Sequence, residues 1–323
     1  MSTTKPTLFL VGTGFIGGTL LTELLKQNKY EIAALSRDSA KADKLKELGV
    51  RPVRGSLDDE VLVEESAKAD IIIHTATADD EPSVKSILKG LAQRPSDKTP
   101  AIYIQTSGTG VLTVPLHPES IYFSDEDPEQ FDRLVPDHAP HRNVDLLIKR
   151  AVEEGKLNAR ISIMLPPNIF GRGTGPFNKI SIQLPRWIRR SIKDEQVTQF
   201  GPKRWWNHVH VSNLALGYVT LLEHIESELK VESQPPLYVF CETGEHQWEG
   251  LGELIHRTLE AKGQVKKEPK VLEDASDNDT ETGTQSRAHA NVLRKWGWKP
   301  TEKETVEESI VADIDYILSE EQN

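Results

Sequence analysis

The sharpest chemical signal is Gly12-Thr13-Gly14-Phe15-Ile16-Gly17. It follows the apolar run Leu8-Phe9-Leu10-Val11 directly and opens a stretch with Leu20, Leu21, Leu24 and Leu25 on one helical face. A G-x-G-x-x-G between a buried strand and a helix is a dinucleotide cradle. Its glycines permit a tight turn, close approach of backbone to a pyrophosphate, and close helix–strand packing. The helix N-terminus adds unpaired N–H groups and a positive dipole end for the phosphates. All six residues, Thr13, Phe15 and Ile16 included, are therefore candidate cofactor contacts. About 20 residues further on, an NAD-binding chain carries an acid that holds the ribose hydroxyls. Here the chain reads Leu35-Ser36-Arg37. A small hydroxyl followed by a guanidinium suits a 2′-phosphate, and Lys41 adds charge, whereas Asp38 is a nearby carboxylate that could turn to a ribose. The expectation is NADP(H), with NAD(H) possible.

The elements that must position this loop alternate regularly. Apolar runs of strand length occupy residues 7–11, 31–35, 50–54, 70–74, 101–105 and 161–165. Amphipathic stretches of helix length lie between them at 18–26, 39–48, 58–67, 83–93 and 144–154. Continuous Ile/Val/Leu runs mark strands buried on both faces. Their alternation with helices implies right-handed crossovers and a parallel sheet. The fold class is α/β: a Rossmann-type, doubly wound parallel sheet over residues 1–170, with a smaller mixed α/β substrate lobe over 171–323, interleaved with the first into one unit. In the second part, helices are expected at 177–190, 212–226, 248–261, 287–295 and 305–318, and strands at 208–211 and 237–240. Residues 273–285 are acidic and nearly free of apolar side chains, the composition of a mobile loop.

The motifs together resemble a known family. Gly12 to Gly17, Leu57-Asp58, Thr75-Ala76-Thr77, Thr106-Ser107-Gly108-Thr109, Pro166-Pro167-Asn168-Ile169-Phe170-Gly171 and His208 to Ala215 fall in the order of an extended or atypical short-chain dehydrogenase/reductase. The group is that of the NAD-dependent epimerases and dehydratases, with NmrA-like proteins as neighbours. The resemblance implies that Leu57 and Asp58 flank the adenine, and that Thr75, Ala76 and Thr77 run beside the ribose and pyrophosphate. It also implies that Pro166, Asn168 and Ile169 border the nicotinamide. Each of these sits at the C-terminal end of a strand, where ligands of open α/β sheets bind.

One part of the family pattern is missing. Enzymes of this group carry a Tyr four residues before a Lys, the Lys lowering the phenol's pKa for proton exchange. Here that helix reads His141-Arg142-Asn143-Val144-Asp145, which puts His141 at the Tyr position and Asp145 at the Lys position. A carboxylate has the wrong charge to lower a neighbour's pKa. The spacing does allow Asp145 to hold the His141 ring across one helical turn. Tyr122 and Lys149 are alternative proton donors. The family keeps a Ser or Thr after the fifth strand that hydrogen-bonds the substrate oxygen, so Ser107 and Thr109 are candidates, Thr109 preferred. The candidate catalytic set is thus Thr109, Ser107 and His141. Loss of the usual pair also admits a non-catalytic NADP(H)-binding redox sensor or regulatory protein of NmrA-like type.

Composition excludes other classes. Of 323 residues, 39 are Lys or Arg and 50 are Asp or Glu, a formal charge of −11. That balance opposes broad phosphate-backbone binding, so no nucleic-acid partner is expected. Cys241 alone supports neither a disulfide framework nor a Cys-only metal site. His208 and His210 share a strand face, yet zinc needs three or four converging ligands, so no metal is expected. No apolar run approaches the ~20 residues of a spanning helix, so no membrane partner is expected. A cytoplasmic protein with a small-molecule substrate is expected. Trp205-Trp206 and the Arg186/Arg190 face are secondary candidates for lining a substrate pocket, with core packing and solvation as their ordinary roles.

Overall fold

The computed structural model describes residues 5–58, 60–113, 121–201, 204–231, 233–272 and 282–320. In the first half, β1 (Thr7–Val11), α1 (Phe15–Gln27), β2 (Glu31–Ser36), α2 (Ser39–Glu47), β3 (Arg51–Arg54), α3 (Val61–Lys68), β4 (Ile71–His74), α4 (Glu81–Leu91) and β5 (Ala101–Thr106) alternate strictly. A 3-10 turn (Thr109–Thr113), β6 (Phe123–Ser124), α5 (Pro128–Leu134), α6 (Arg142–Glu153) and β7 (Ala159–Leu165) follow. The second half runs β8 (Asn168–Phe170), α7 (Gln183–Asp194), β9 (Thr198–Phe200), β10 (Trp205–His210), α8 (Val211–Ser227), β11 (Tyr238–Phe240), β12 (Gly244–Gln247) and α9 (Trp248–Ala261). It ends with β13 (Lys270–Leu272), β14 (Ala288–His289), α10 (Asn291–Lys295) and α11 (Val306–Glu320).

The main sheet has seven parallel strands in the order β11-β7-β5-β4-β1-β2-β3. The expected doubly wound α/β fold is the observed one. Every residue of β4 and β5 is buried, which is why these segments read as unbroken apolar runs. The strand order reverses between β1 and β4. Their C-terminal ends form the switch point where such sheets bind ligands. The chain after residue 171 does not stay apart: β11 joins the main sheet beside β7, and Tyr30 at the foot of β2 donates to Glu226 of α8 at 2.8 Å.

A second core lies around the sheet β12-β10-β8. Trp187, Phe200, Trp206 and Trp248 pack there against Val306, Ile310 and Ile314 of α11. Trp206 and Trp248 meet edge-to-face at 5.6 Å, the arrangement ring quadrupoles favour. Trp206 therefore serves packing. Its neighbour Trp205 faces the other way, beneath the Arg287 guanidinium at 5.1 Å.

Two expected helices differ. The stretch 177–190 becomes helical only from Gln183, as α7. Residues 287–295 do not form one helix, because Ala288 and His289 pair with Phe123 and Ser124 as a short strand. The helix then starts at Asn291, where the Asp125 carboxylate accepts the N–H groups of Asn291 and Val292 at 2.9 and 3.1 Å. The Arg186/Arg190 face of α7 is a surface one: both residues are exposed, and Arg190 pairs with Asp194. Most of the predicted acidic loop, residues 273–281, lies outside the described residues.

Candidate cofactor and active site

The Gly-rich loop joins β1 to α1, and its three glycines have separable reasons. Gly12 has φ +104°, and a Cβ there would sit 2.6 Å from the Ala76 backbone nitrogen. At Gly17 a Cβ would lie 2.0 Å from the Gly12 carbonyl and 2.3 Å from Thr75 Oγ1. Both glycines are demanded by packing of the loop against the end of β4. Thr75 secures the same junction by donating to the Gly12 carbonyl at 2.9 Å. At Gly14 nothing lies within 4 Å of a Cβ position. Its openness is what approach of a pyrophosphate needs. Gly14 is also the N-cap of α1, and no side chain caps the helix. Orphan N–H groups at a helix start form an anion site. The residues present fit a dinucleotide's phosphates.

On one side of β1 the sheet continues with β2 and β3. Ser36 ends β2 and donates to the Asp38 carbonyl at 3.0 Å. Arg37 is exposed. Asp38 is committed to another task, since its carboxylate accepts the Lys41 N–H at 2.9 Å as the N-cap of α2. That bond holds Asp38 below the usual carboxylate range, and the Lys41 and Arg54 charges act in the same direction. Leu57 packs against the main core. Asp58 is exposed, and the Ser56 hydroxyl hydrogen-bonded to it, with the Arg37 charge nearby, holds its carboxyl low. A cationic rim of Arg37, Lys41 and Arg54 thus surrounds carboxylates already occupied by local partners.

The loop after β4 carries Thr75, Ala76 and Thr77. It continues into Asp79, a residue the sequence reading did not single out. The Asp79 N–H donates to Thr77 Oγ1 at 3.1 Å. Asp80 caps α4 by accepting the Ser83 N–H at 2.8 Å. Asp79 is thereby held between two short turns. Its carboxylate meets His141 Nδ1 at 2.6 Å.

Beyond β7, the Pro166 carbonyl accepts the Thr109 N–H at 3.0 Å. Asn168 is buried, donates to Gln183 at 3.0 Å, and has an Oδ1 without a hydrogen-bond partner among the described residues. Ile169 is half-buried. These residues gather over the C-terminal ends of β5 and β7.

The His141 ring reaches the turn that carries Ser107 and Thr109, with one changed pairing. The His141 ring lies beside Gly108, 3.3 Å from a Cβ position there, and so between Ser107 and Thr109 in the chain. The expected His141–Asp145 pair is not the one that forms. His141 is the N-cap of α6 with left-handed backbone, φ 64° and ψ −16°, so its side chain leaves the helical repeat that would have aligned it with Asp145. It turns to Asp79 instead. Such backbone costs a non-glycine residue about 1–2 kcal/mol. Asp145 points inward, fully buried, and receives the Ser107 hydroxyl at 3.1 Å. Burial pushes its carboxyl up to about 7, opposed by the Ser107 hydrogen bond and the nearby His141 and Arg142 charges. Thr109 is buried, and its Oγ1 has no partner among the described residues.

The alternative proton donors are engaged elsewhere. Lys149 pairs with Asp132 at 3.0 Å and Glu153 at 3.4 Å. Tyr122 OH meets Glu245 at 3.2 Å, and its ring lies under Arg287 and against His289. His210 caps α8, its Nδ1 accepting the Ser212 N–H at 3.1 Å. Among the described residues no group of three metal-ligating side chains converges, and no helix is long and apolar enough to cross a membrane.

Residues 12–113 match a family model described as NAD(P)H-binding. The chain is 28% identical over 284 residues to oxidase ucsJ of Acremonium sp, covering 80% of each protein. A 66-residue stretch, 20% of each chain, is 41% identical to the decarboxylating sterol-4-alpha-carboxylate 3-dehydrogenase of Dictyostelium discoideum. Among solved structures, the UDP-glucuronic acid 4-epimerase of Bacillus cereus in complex with NAD superposes with a TM-score of 0.65 at 15% identity, over 96% of both chains. The UDP-glucose 4-epimerase of Thermus thermophilus in complex with NAD gives 0.65 at 17% identity, over 97% of this chain and 99% of that one. The chain thus carries, over residues 12–113, a segment similar to NAD(P)H-binding domains, and it has the Rossmann-type fold of the 4-epimerases it superposes on, the fold its motif order implied.

Proposed function

We propose that this protein is an NADP(H)-dependent oxidoreductase acting on an alcohol, aldehyde or ketone of small-molecule size. The observation that carries the cofactor reading is the commitment of Asp38. The carboxylate placed right after β2 is spent capping α2, so it is not left for a ribose diol, while Arg37 stands exposed beside it. Ser36, Arg37 and Lys41 would hold a 2′-phosphate, and the Gly12–Gly17 loop the pyrophosphate. Leu57, Asp58, Thr75, Ala76 and Thr77 would line the adenosine and ribose path, with Pro166, Asn168 and Ile169 towards the nicotinamide. When bound, that ring supplies or takes a hydride at the substrate carbon. The chain's own work is to hold the substrate oxygen. Thr109, whose buried Oγ1 has no hydrogen-bond partner among the described residues, would donate to it, with Ser107 and the His141 ring as the other candidates.

The similarity to a curated oxidase over most of the chain favours an enzyme. The missing Tyr-x-x-x-Lys pair favours the second reading, an NADP(H) sensor without turnover. Titration of NADPH and NADH followed by a screen of carbonyl substrates separates the two. The enzyme reading expects NADPH consumption with at least one carbonyl class. Tight NADPH binding with no consumption across a broad panel supports the sensor.

A further inference from the structure

Away from the phosphate loop, a cavity of about 410 Å³ lies between the segment 172–181, α7 and the C-terminal end of α11. Its wall carries the cations Arg172, Lys179 and Arg189 and the carboxylate Glu320. In a chain of net charge −11 this is a local reversal of sign. Asp313, buried on α11, lies within electrostatic reach of Arg172 and Arg189, and the cations still outnumber the carboxylates. The cations come from different elements and are held in place. The Arg172 guanidinium lies 4.1 Å from the Tyr316 ring centre, a cation–π contact. Lys179 closes its own loop, its carbonyl accepting the Gly173 N–H at 3.0 Å, and the Gly171 N–H donates to Ser309 of α11 at 3.0 Å. Arg189 donates to Glu320 at 3.0 Å, and Tyr316 OH donates to the same carboxylate at 2.6 Å.

Two further features point to an anion. Ser181 lines the cavity, is nine-tenths buried, and its Oγ has no hydrogen-bond partner among the described residues. The next residue, Ile182, is the N-cap of the 12-residue helix α7 and offers no side-chain cap. An uncapped helix start adds orphan N–H groups and a positive dipole end. We propose that this cavity is a second anion site, built for a phosphate group, either inorganic phosphate or a phosphomonoester. Such a group carries about −1.5 to −2 near pH 7 and three acceptor oxygens, so it engages donors from the segment 172–181, α7 and α11 at once. Glu320 holds the place of the ligand: an ion pair between half-exposed partners is weak, and the incoming dianion takes over Arg189 and Tyr316 from it. For a phosphomonoester, Phe177 and Ile180 on the same wall meet the organic part. The site is independent of the oxidoreductase reading. It does adjoin the cofactor region, since the Thr174 carbonyl accepts the Thr22 hydroxyl of α1 at 3.2 Å and Lys41 lies 5.5 Å from the Phe177 ring centre.

The test is a phosphorus-31 NMR titration of the whole protein with inorganic phosphate and with phenyl phosphate, at constant ionic strength, with and without saturating NADPH. Saturable binding that persists in the presence of NADPH is expected. Tighter binding of phenyl phosphate than of inorganic phosphate identifies a phosphomonoester as the ligand, and equal binding identifies free phosphate. The double variant Arg172→Ala/Arg189→Ala, altered at two exposed residues, should keep its melting temperature and bind at least about 10-fold more weakly. Ser181→Ala should bind about twofold or more weakly. Glu320→Gln should bind about threefold or more tightly, because the competing carboxylate charge is gone, a gain that a merely structural Glu320 would not produce. Binding that NADPH abolishes would place the phosphate on the cofactor cradle and overturn the proposal. So would equal affinity in the wild type and the double variant, no gain in Glu320→Gln, or acetate competing as well as phosphate does.

Discussion

The Ser107 hydroxyl donates to the Asp145 carboxylate across 3.1 Å, deep inside the protein. The other carboxylate oxygen, Oδ1, is buried without a partner among the described residues. Burial therefore raises the carboxyl to about 7, against about 3.9 in an unfolded chain. Between these values the native state binds more protons than the unfolded one, so stability falls as pH rises from about 4 to about 7, then levels. Asp145→Asn keeps an acceptor for Ser107 and cannot ionise. Compared with wild type, it should gain on the order of 1–3 kcal/mol at pH 8 relative to pH 5. Urea unfolding of both proteins at the two pH values checks this, and parallel pH profiles would refute it.

The glycines of the phosphate loop should separate stability from binding. Gly17→Ala places a Cβ 2.0 Å from a backbone oxygen, so the loop must move. It should unfold at lower temperature and lose NADPH binding. Gly14→Ala meets nothing within 4 Å, so its melting temperature should match wild type within a degree or two. Its NADPH dissociation constant should nevertheless rise about 10-fold or more, because a methyl group intrudes where the pyrophosphate approaches. Melting curves and NADPH fluorescence titrations of the two variants check the contrast.

Cofactor choice should reside in Arg37. Arg37→Ala should raise the NADPH dissociation constant at least about 10-fold, as loss of a charge-assisted phosphate contact does, and leave that of NADH within about twofold. Equal effects on both would contradict a 2′-phosphate site. Asp38→Ala should lower the melting temperature through loss of the α2 cap, without converting the chain to an NADH binder.

Thr109 offers a cleaner case than most active-site residues. Its buried Oγ1 has no partner among the described residues, so Thr109→Val removes an unsatisfied polar atom at nearly constant shape. Stability should hold or rise slightly. If the hydroxyl serves the substrate oxygen, kcat should fall about 10-fold with a carbonyl substrate found in the screen. A variant as active as wild type would remove Thr109 from the site.

How far the sequence reveals this molecule depends on the range of the forces involved. The main sheet is legible because its strands are buried on both faces, and β4, Ile71-Ile72-Ile73-His74, announces that in its composition. The dinucleotide loop is legible because its glycines answer to local backbone geometry. The shift of α7 to Gln183 and the replacement of a helix at 287–290 by β14 were not legible. The latter depends on Phe123, Ser124 and Asp125, which pair with it from far away in the chain. The acid–base pairing failed for a similar reason. A spacing of four residues predicts a contact only if both residues follow the helical repeat, and the positive φ of His141 takes it out of that repeat. The partner it found, Asp79, had a faint signal: an acid two residues beyond Thr77, on a loop already expected to border the cofactor.

The most direct test of the central reading is single-turnover mixing of the protein with NADPH deuterated at the transferable position and a panel of aldehydes and ketones. The readouts are the absorbance of the reduced cofactor and the label in the product. The account predicts stoichiometric loss of NADPH and one deuterium on the new carbinol carbon for at least one carbonyl class. Tight NADPH binding with no loss of absorbance and no labelled product across the panel would contradict it.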